Sequence, residues 1–381
     1  MRSLIFLAAL SLVACSSPDK STDAGPPSAP ACTATTTPKT LIEDFTRGTR
    51  HEAMFAGDLV PPSLVGDELY YIDTSEGGPA ANGNFNNGVI KHIKLDGSGQ
   101  STLVTPTGYL FQAIALDADI FYLQEEQTSK APDMYAVHLY RSPRATGGPG
   151  TVVGTASFYL GNAGLFVARC GDPCGVVARR GDDVFINAAG EIDRVSLSTG
   201  QVTVVAKPMP ARSLWAPILD GDTLYYQDGD GTVYSVSAST NAPNGTSIGV
   251  KTCGAGARQG TRRYGKAFIC SDRDSIFTLD ATGSTQTSFF QSQSVDPRVA
   301  SFTPTPVDGT TVYAMPEFVF QDLDKTSSVY KVDINSGNPT PVLCNVHTVV
   351  WSTFGPTQIV YVEATKDAAQ KEMFSLRTVP R

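Results

Sequence analysis

Carboxylates are the side chains of this sequence that are best placed to do chemistry. Two of them can act together as general acid and general base, one giving a proton to a substrate and the other removing one. When the reaction is glycoside cleavage, such a pair needs a separation of about 5 to 10 Å. The acidic residues in the segments that we predict as long loops are Glu76, Glu125, Glu126, Glu317 and Asp322.

The same predicted loops hold aromatic residues. Phe318 and Phe320 lie just after Glu317, and Phe85 lies in the predicted loop 73–88. Aromatic side chains are frequent anchors of binding surfaces, although a longer strand hairpin would bury them equally well. We therefore take these aromatic residues and the acids as candidates for a binding face.

Patterns that would indicate other chemistries are absent from the sequence. The four histidines are scattered singly, and the nucleophile elbow G-x-S-x-G does not occur. Cys170 and Cys174 form a C-x3-C pair without the second pair or nearby histidine that zinc requires. We therefore assign no catalytic residue and expect neither a metal nor a cofactor. The formal net charge of -8 argues against nucleic acid as a partner, because nucleic acid requires a basic face.

The first residues have the composition of a secretory signal. An apolar run over residues 4–13 ends in the letters LVAC at Cys15, and it is shorter than the roughly 20 residues that span a bilayer. LVAC resembles the bacterial lipobox, which implies removal of a signal peptide of residues 1–14. It also implies attachment of diacylglycerol and a fatty acid such as palmitate to Cys15. Because Ser16 follows in place of Asp, the resemblance implies a lipid anchor in the outer membrane, with the protein either periplasmic or exposed at the surface.

The next segment, residues 15–38, is rich in Ser, Thr, Pro and Ala and has almost nothing to bury. Such a composition predicts a disordered tether. No similar break recurs downstream, so we expect one domain over residues 39–381.

A unit of about 40 to 50 residues recurs along this domain. Each copy has an apolar segment, a tight turn with Asp or Gly, a β-branched or aliphatic residue followed by aromatic residues, and then a second alternating run. Period-two alternation between turn residues is typical of β-hairpins. The seven copies are centred on Tyr70, Phe121, Phe185, Tyr225, Phe268, Tyr313 and Val360.

These copies predict an all-β fold, a β-propeller of seven blades with four strands each. Extra residues near 157–174 leave eight blades as the alternative. The last copy ends without a fourth strand, and an open sheet edge needs a partner. We therefore expect an N-terminal strand, from residues 40–45 or 52–55, to close the ring.

The repeats resemble those of TolB-like and quinoprotein-like propellers, for example in DGTVYSV at 230–236 and VYKVDINSG at 329–337. The resemblance implies a propeller over residues 60–380. The tryptophan that closes each quinoprotein-type blade is missing, since only Trp215 and Trp351 occur. This departure speaks against a quinone cofactor.

Six cysteines remain after Cys15, an even number in a chain sent to an oxidising compartment, where disulfides form by default. Spacing alone allows 15 pairings. The inferred strand positions place Cys253 beside Cys270 in blade five, so we pair these two. We further expect Cys170 to join Cys174, and Cys32 to join Cys344 near the closure of the ring.

Long connections between the second and third strands are predicted in four neighbouring blades, over residues 73–88, 124–133, 316–328 and 363–372. Long loops on a rigid scaffold are where binding sites usually form, although loops without a role are tolerated as well. We predict a lipid-anchored module of the cell envelope that binds a protein or a glycan through this crescent of loops. The alternative is an extracellular enzyme of the polysaccharide lyase or hydrolase type that uses carboxylates at the mouth of the ring.

Overall fold

The computed structural model of this chain describes residues 32–33, 36–43, 62–73, 76, 88–130, 133–156, 175–188, 191–207, 215–227, 232–239, 245–247, 262–264, 267–272, 274–280, 285–308, 310–318, 322–370 and 372–381. The predicted signal peptide, Cys15 and most of the predicted tether lie outside the described residues, as does the segment 157–174. In the part of the chain that is described, no helix is long and apolar enough to cross a membrane.

The described strands pair into seven antiparallel sheets of four strands. After β1 (Lys39–Ile42), blade one contains β2 (Ser63–Val65), β3 (Glu68–Asp73), β4 (Val89–Lys94) and β5 (Ser101–Val104). Blade two contains β6 (Tyr109–Leu116), β7 (Asp119–Lys130), β8 (Asp133–Pro143) and β9 (Thr151–Ala156). Blade three contains β10 (Gly175–Arg180), β11 (Asp183–Ala188), β12 (Glu191–Ser196) and β13 (Val202–Ala206).

The second half of the ring repeats the plan. Blade four contains β14 (Trp215–Asp220), β15 (Thr223–Gln227), β16 (Val233–Ser237) and β17 (Thr246–Ser247). Blade five contains β18 (Arg262–Tyr264), β19 (Ala267–Ser271), β20 (Ser275–Leu279) and β21 (Gln286–Gln291), and the short helix α1 (Ser292–Val295) follows it. Blade six contains β22 (Ser301–Pro306), β23 (Thr311–Glu317), β24 (Ser327–Asp333) and β25 (Pro339–Val346). Blade seven contains β26 (Thr348–Phe354), β27 (Gln358–Lys366) and β28 (Glu372–Pro380).

The ring closes through the N-terminal strand. β1 pairs with β28 as the fourth strand of blade seven, with Lys39 opposite Thr378 and Ile42 opposite Leu376. An unpaired β28 would leave a row of open backbone donors and acceptors at the edge of the last sheet. The seven-bladed propeller closed by an N-terminal strand is thereby confirmed, and the closing segment is the earlier of the two that we expected.

Alternation along each strand explains why the blades pack. Successive side chains of a strand point to opposite faces of its sheet, so each blade has two apolar faces. In β3, Leu69 and Tyr71 belong to the cluster shared with blade seven, whereas Tyr70 and Ile72 belong to the cluster shared with blade two. The core of the protein is therefore a set of apolar layers between neighbouring blades.

The antiparallel order defines two faces of the ring. The second and third strands of each blade connect on one side, which we call the upper face, and the links between blades lie there too. The tight Asp and Gly turns lie on the opposite, lower face. At Gly221 the φ angle is 56°, which glycine adopts without cost. The Asp222 carboxylate next to it accepts hydrogen bonds from the hydroxyls of Ser239 at 2.6 Å and Ser237 at 2.8 Å. It also binds Arg180 of blade three. These contacts lower the pKa of Asp222 to about 2.

Two of the predicted upper loops are wrong. Residues 124–133 belong almost entirely to the extended hairpin of β7 and β8, and β27 and β28 leave only residues 367–371 between them. Polar residues suggested loops in both segments. The hydrogen bonds between paired strands are made by the backbone, however, so residues with polar side chains can continue a hairpin. The connections of blades one and six remain long, between Asp73 and Val89 and between Glu317 and Ser327.

Candidate functional site

The upper loop of blade six, between β23 and β24, is held at two of its described residues. Phe318 is buried in the apolar cluster between blades five and six, and its backbone N–H donates to Thr348 Oγ1 at 3.0 Å. Leu323 is buried in the cluster between blades seven and one, and its carbonyl oxygen lies 3.0 Å from His347 Nδ1. Of the two interpretations of Phe318, a binding anchor or a buried aromatic residue, the structure shows burial.

One predicted acid precedes this loop, and another lies within it. Glu317 ends β23 and accepts hydrogen bonds from Ser301 Oγ at 3.0 Å and Thr303 Oγ1 at 3.4 Å, both on the first strand of the same blade. Asp322 is paired with Lys325 at 2.9 Å. Both carboxylates are thus held by neighbours of their own blade, and the described contacts do not bring them together.

At the upper end of blade one, two carboxylates contact the same lysine ammonium. Lys91 Nζ lies 2.8 Å from Asp73 Oδ2 and 2.5 Å from Glu76 Oε1, so these two oxygens are at most about 5.3 Å apart. Burial lowers the pKa of Lys91. The hydrogen bonds that its ammonium donates to both acids have the larger combined effect, so the pKa is raised overall. Lys91 therefore stays protonated and holds the carboxylates as an ion triplet.

A buried ion pair joins the strands of blade seven. The Glu363 side chain is 1% exposed, and its two oxygens contact the backbone N–H of His347 at 2.7 Å and Arg377 Nε at 2.8 Å. The Arg377 N–H is not aligned with the oxygen, so the contact is an ion pair and not a hydrogen bond. The carboxylate thereby fixes the link between blades six and seven on the upper face.

The residues best arranged as a ligand site line a cavity of about 280 Å³ on the upper face, which we call the blade-six cavity. It lies between the link from blade five to blade six, the end of the upper loop of blade six and the end of β25. Its lining consists of Cys32, Asp296, Arg298, Thr326, Ser327, Ser328, Cys344 and Asn345. Almost all of these groups are polar, which makes the cavity a place for a hydrogen-bonding ligand.

An acid and an arginine organise the blade-six cavity. Asp296 is fully buried, and its oxygens accept hydrogen bonds from Arg298 Nε at 2.9 Å, Arg298 Nη2 at 2.7 Å and Ser327 Oγ at 2.7 Å. Burial raises the pKa of Asp296, but these hydrogen bonds outweigh it and hold the pKa below its usual range. Asp296 therefore favours its charged form and has no proton to give as a general acid.

A disulfide forms one wall of the blade-six cavity. Cys32 is bonded to Cys344 with a Cα–Cα distance of 5.7 Å, which confirms that predicted pairing. Cys270 is also disulfide-bonded. Its pairing with Cys253, and that of Cys170 with Cys174, stay predictions because Cys253, Cys170 and Cys174 lie outside the described residues.

The structure assembles only part of the predicted binding face. Phe85 and Phe320 lie outside the described residues. Glu125 and Glu126 lie within β7 and not in a loop, opposite Val137 and Ala136 of β8.

Asp296, Arg298 and Asn345 were missed by the sequence reasoning. The one available signal is the pair of opposite charges flanking Pro297 in an inter-blade link. Across the described ranges, no group of three or more His, Cys, Asp or Glu side chains could hold a metal ion.

Comparison with known proteins adds the fold. No family model matches the chain, and no curated protein matches it. Among solved structures, BamB from Moraxella catarrhalis is 11% identical with a TM-score of 0.50, covering 84% of this chain and 81% of that one. The oligogalacturonate lyase of Vibrio parahaemolyticus is 11% identical with a TM-score of 0.52, covering 90% and 96%. The Cps50 (Swd1) β-propeller domain of Myceliophteria thermophila is 12% identical with a TM-score of 0.51, covering 86% and 99%. At these identities the similarity shows a shared β-propeller fold and nothing more specific.

Proposed function

We propose that this protein is an exported, lipid-anchored binding module of the cell envelope that holds a glycan or protein partner on its upper face. The blade-six cavity is the observation that carries the proposal. Its charged groups, Asp296 and Arg298, are paired with each other, and hydroxyl and amide side chains make up much of the remaining lining. Such a site suits ligand binding better than proton transfer.

The disulfides support export. Structural disulfides form and persist in oxidising compartments and are rare in the cytosol. The Cys32–Cys344 bond and the bonded state of Cys270 fit a chain that leaves the cytoplasm, as the signal and the LVAC motif imply. Attachment of lipid at Cys15 and residence in the outer membrane belong to the proposal.

The anchoring of the upper loop of blade six supports binding in a second way. Phe318 and Leu323 are buried in two different inter-blade clusters, so the loop is anchored at these two residues before a ligand arrives. Preorganisation reduces the entropy that a binding event would otherwise cost. The site is therefore suited to hold a partner without a large rearrangement.

The anchor is tested by metabolic labelling with a palmitate analogue in a Gram-negative host. We expect label in the wild-type chain and its recovery with outer-membrane fractions. The Cys15→Ser variant should be unlabelled and released from membranes, because the lipid is attached through the thiol. An unlabelled wild-type protein, cleaved at another site, would contradict the anchor.

The binding role is tested with a glycan array and purified envelope proteins, using the oxidised mature chain. Thr326→Trp places a large side chain at the cavity and should abolish binding. Thr287→Trp adds the same side chain to the exposed outer strand of blade five and serves as the matched control. Binding that survives Thr326→Trp unchanged would remove the cavity from the proposal.

The ion triplet of blade one favours a second candidate, a polysaccharide-cleaving enzyme. Asp73 and Glu76 are close enough for paired carboxylate chemistry, and an oligogalacturonate lyase has the same fold. Both carboxylates are already engaged by the Lys91 ammonium between them, which is why we rank this candidate second. Turnover of a polysaccharide panel by the wild type, lost in Glu76→Gln but kept in Glu317→Gln, would reverse the ranking.

A further inference from the structure

Arg298 has hydrogen-bonding capacity left over in the blade-six cavity. Its Nε and Nη2 atoms are engaged by Asp296, and Nη2 also donates to the carbonyl oxygen of Thr326 at 3.3 Å. For Nη1 the described part of the chain offers no partner, and the side chain remains 52% exposed. A guanidinium has five N–H donors in a fixed plane, so the two N–H groups of Nη1 face no described acceptor.

Asp296 cannot accept further hydrogen bonds from a ligand, because both of its oxygens already accept hydrogen bonds from the protein. Besides the side-chain donors named above, Oδ1 accepts the backbone N–H of Arg298 at 3.1 Å. The carboxylate acts as a positioning group that fixes the plane of the guanidinium. Recognition of charge in this cavity therefore falls to Arg298 alone, and it selects an anion.

The rest of the lining suits a hydroxylated ligand. Thr326 and Ser328 contribute hydroxyls, and Asn345 contributes an exposed amide. Ser327 donates its hydroxyl hydrogen to Asp296 and offers a ligand only its oxygen as an acceptor. Asn345 has a φ angle of 56°, a left-handed conformation that costs a non-glycine residue energy and that often marks functional sites. A volume of about 280 Å³ is room for one sugar ring but not for an oligosaccharide.

We propose that the blade-six cavity binds the carboxylate of an acidic sugar, with Nη1 of Arg298 donating to the carboxylate and the Ser, Thr and Asn side chains holding the ring hydroxyls. The inference deepens the proposed function, on which it rests for the choice of cavity. A hydrogen bond between a guanidinium N–H and a carboxylate is strengthened by the opposite charges. A peptide carboxylate has the same charge, but the hydroxyl-rich lining offers its side chains little apolar surface, so we favour the sugar.

The test uses the oxidised mature chain and titration calorimetry with D-glucuronate and D-glucose, which differ at the carboxylate. We expect D-glucuronate to bind at least about tenfold more tightly than D-glucose, as befits a charged hydrogen bond. Arg298→Gln should remove that preference. Arg298→Gln also leaves the buried Asp296 without its cation and could destabilise the fold. Asn345→Gly is therefore the second variant. Glycine prefers the φ angle at that position, so the fold is retained while the loss of the amide weakens D-glucuronate binding several-fold.

Arg381→Gln is the control, since Arg381 pairs with Asp308 on the lower face, away from the cavity. The affinity of this variant for D-glucuronate should equal that of the wild type. Equal affinity for D-glucuronate and D-glucose would overturn the proposal. So would an N-acetyl dipeptide that binds through its carboxylate as tightly as D-glucuronate. If a neutral glycan binds and Thr326→Trp blocks it, while D-glucuronate does not bind, the carboxylate proposal fails and the binding function stands. If ligands bind and Thr326→Trp blocks none of them, the carboxylate proposal fails and the cavity is removed from the proposed function as well.

Discussion

Replacement of Asp193 by Asn should make this protein more stable at neutral pH. Asp193 lies in β12 between Ile186 of β11 and Val204 of β13, and only 3% of it is exposed. It shares a face of the strand with Val195, which packs between blades two and three. Among the described residues Asp193 Oδ1 has no hydrogen-bond partner. Burial, with a smaller contribution from the Glu191 carboxylate, raises the pKa of Asp193 to about 7.

The sign and size of the effect follow from linkage. The folded state keeps a proton on Asp193 up to pH about 7, whereas the unfolded chain releases it near the ordinary pKa of an aspartate, 3.8. The folded protein therefore binds more protons than the unfolded chain between these values, and its free energy of unfolding falls as the pH rises through this window. A difference of about 3 units corresponds to about 4 kcal/mol, which is lost by pH 7 and does not change further at higher pH.

The assay is urea denaturation of the wild type and Asp193→Asn at several values of pH from 4 to 8. We expect the difference in free energy of unfolding, variant minus wild type, to increase by up to about 4 kcal/mol over this range. Glu191→Gln should flatten part of the wild-type slope, because a neighbouring negative charge is removed. Asp67→Asn, at an exposed turn of blade one, is the control and should show no such trend. A difference between Asp193→Asn and wild type that stays constant with pH would refute the reasoning.

Three further predictions concern stability and use urea denaturation as well. Cys32→Ser should lower the free energy of unfolding by up to about 5 kcal/mol, because the Cys32–Cys344 bond spans a sequence separation of 312 residues. Reduced wild type, which loses the Cys270 bond as well, should be at least as destabilised as the oxidised variant, and a variant as stable as oxidised wild type would contradict this. Arg377→Met should cost about 3 to 5 kcal/mol because it leaves the Glu363 carboxylate buried without its cation, and adding Glu363→Leu should recover most of the loss; an additive further loss would speak against the ion pair. Phe318→Ala should cost about 3 to 5 kcal/mol by opening a cavity between blades five and six, whereas a loss below about 1 kcal/mol would mean that the side chain is not part of the core.

The sequence was sufficient for the blades because blade formation is local. Alternating runs such as ELYYID in β3 carry their own strand signal, and residues such as Gly221 and Asp222 define the lower turns within a few positions. The repetition of that unit then implies a ring, and the missing last strand implies closure by the N-terminus. Even the Cys32–Cys344 pairing follows from this logic, since both residues must lie near the closure.

The upper face could not be read in the same way, because its residues are brought together by the ring and not by spacing along the chain. Whether polar residues form a loop or continue a hairpin, as Glu125 and Glu126 do in β7, depends on the pairing strand. Phe318 was open to two interpretations until the neighbouring blade supplied the cluster that buries it. Asp296 and Arg298 meet Cys32 only after Cys32 and Cys344, 312 positions apart, are joined across blades, so the blade-six cavity is a property of the closed ring.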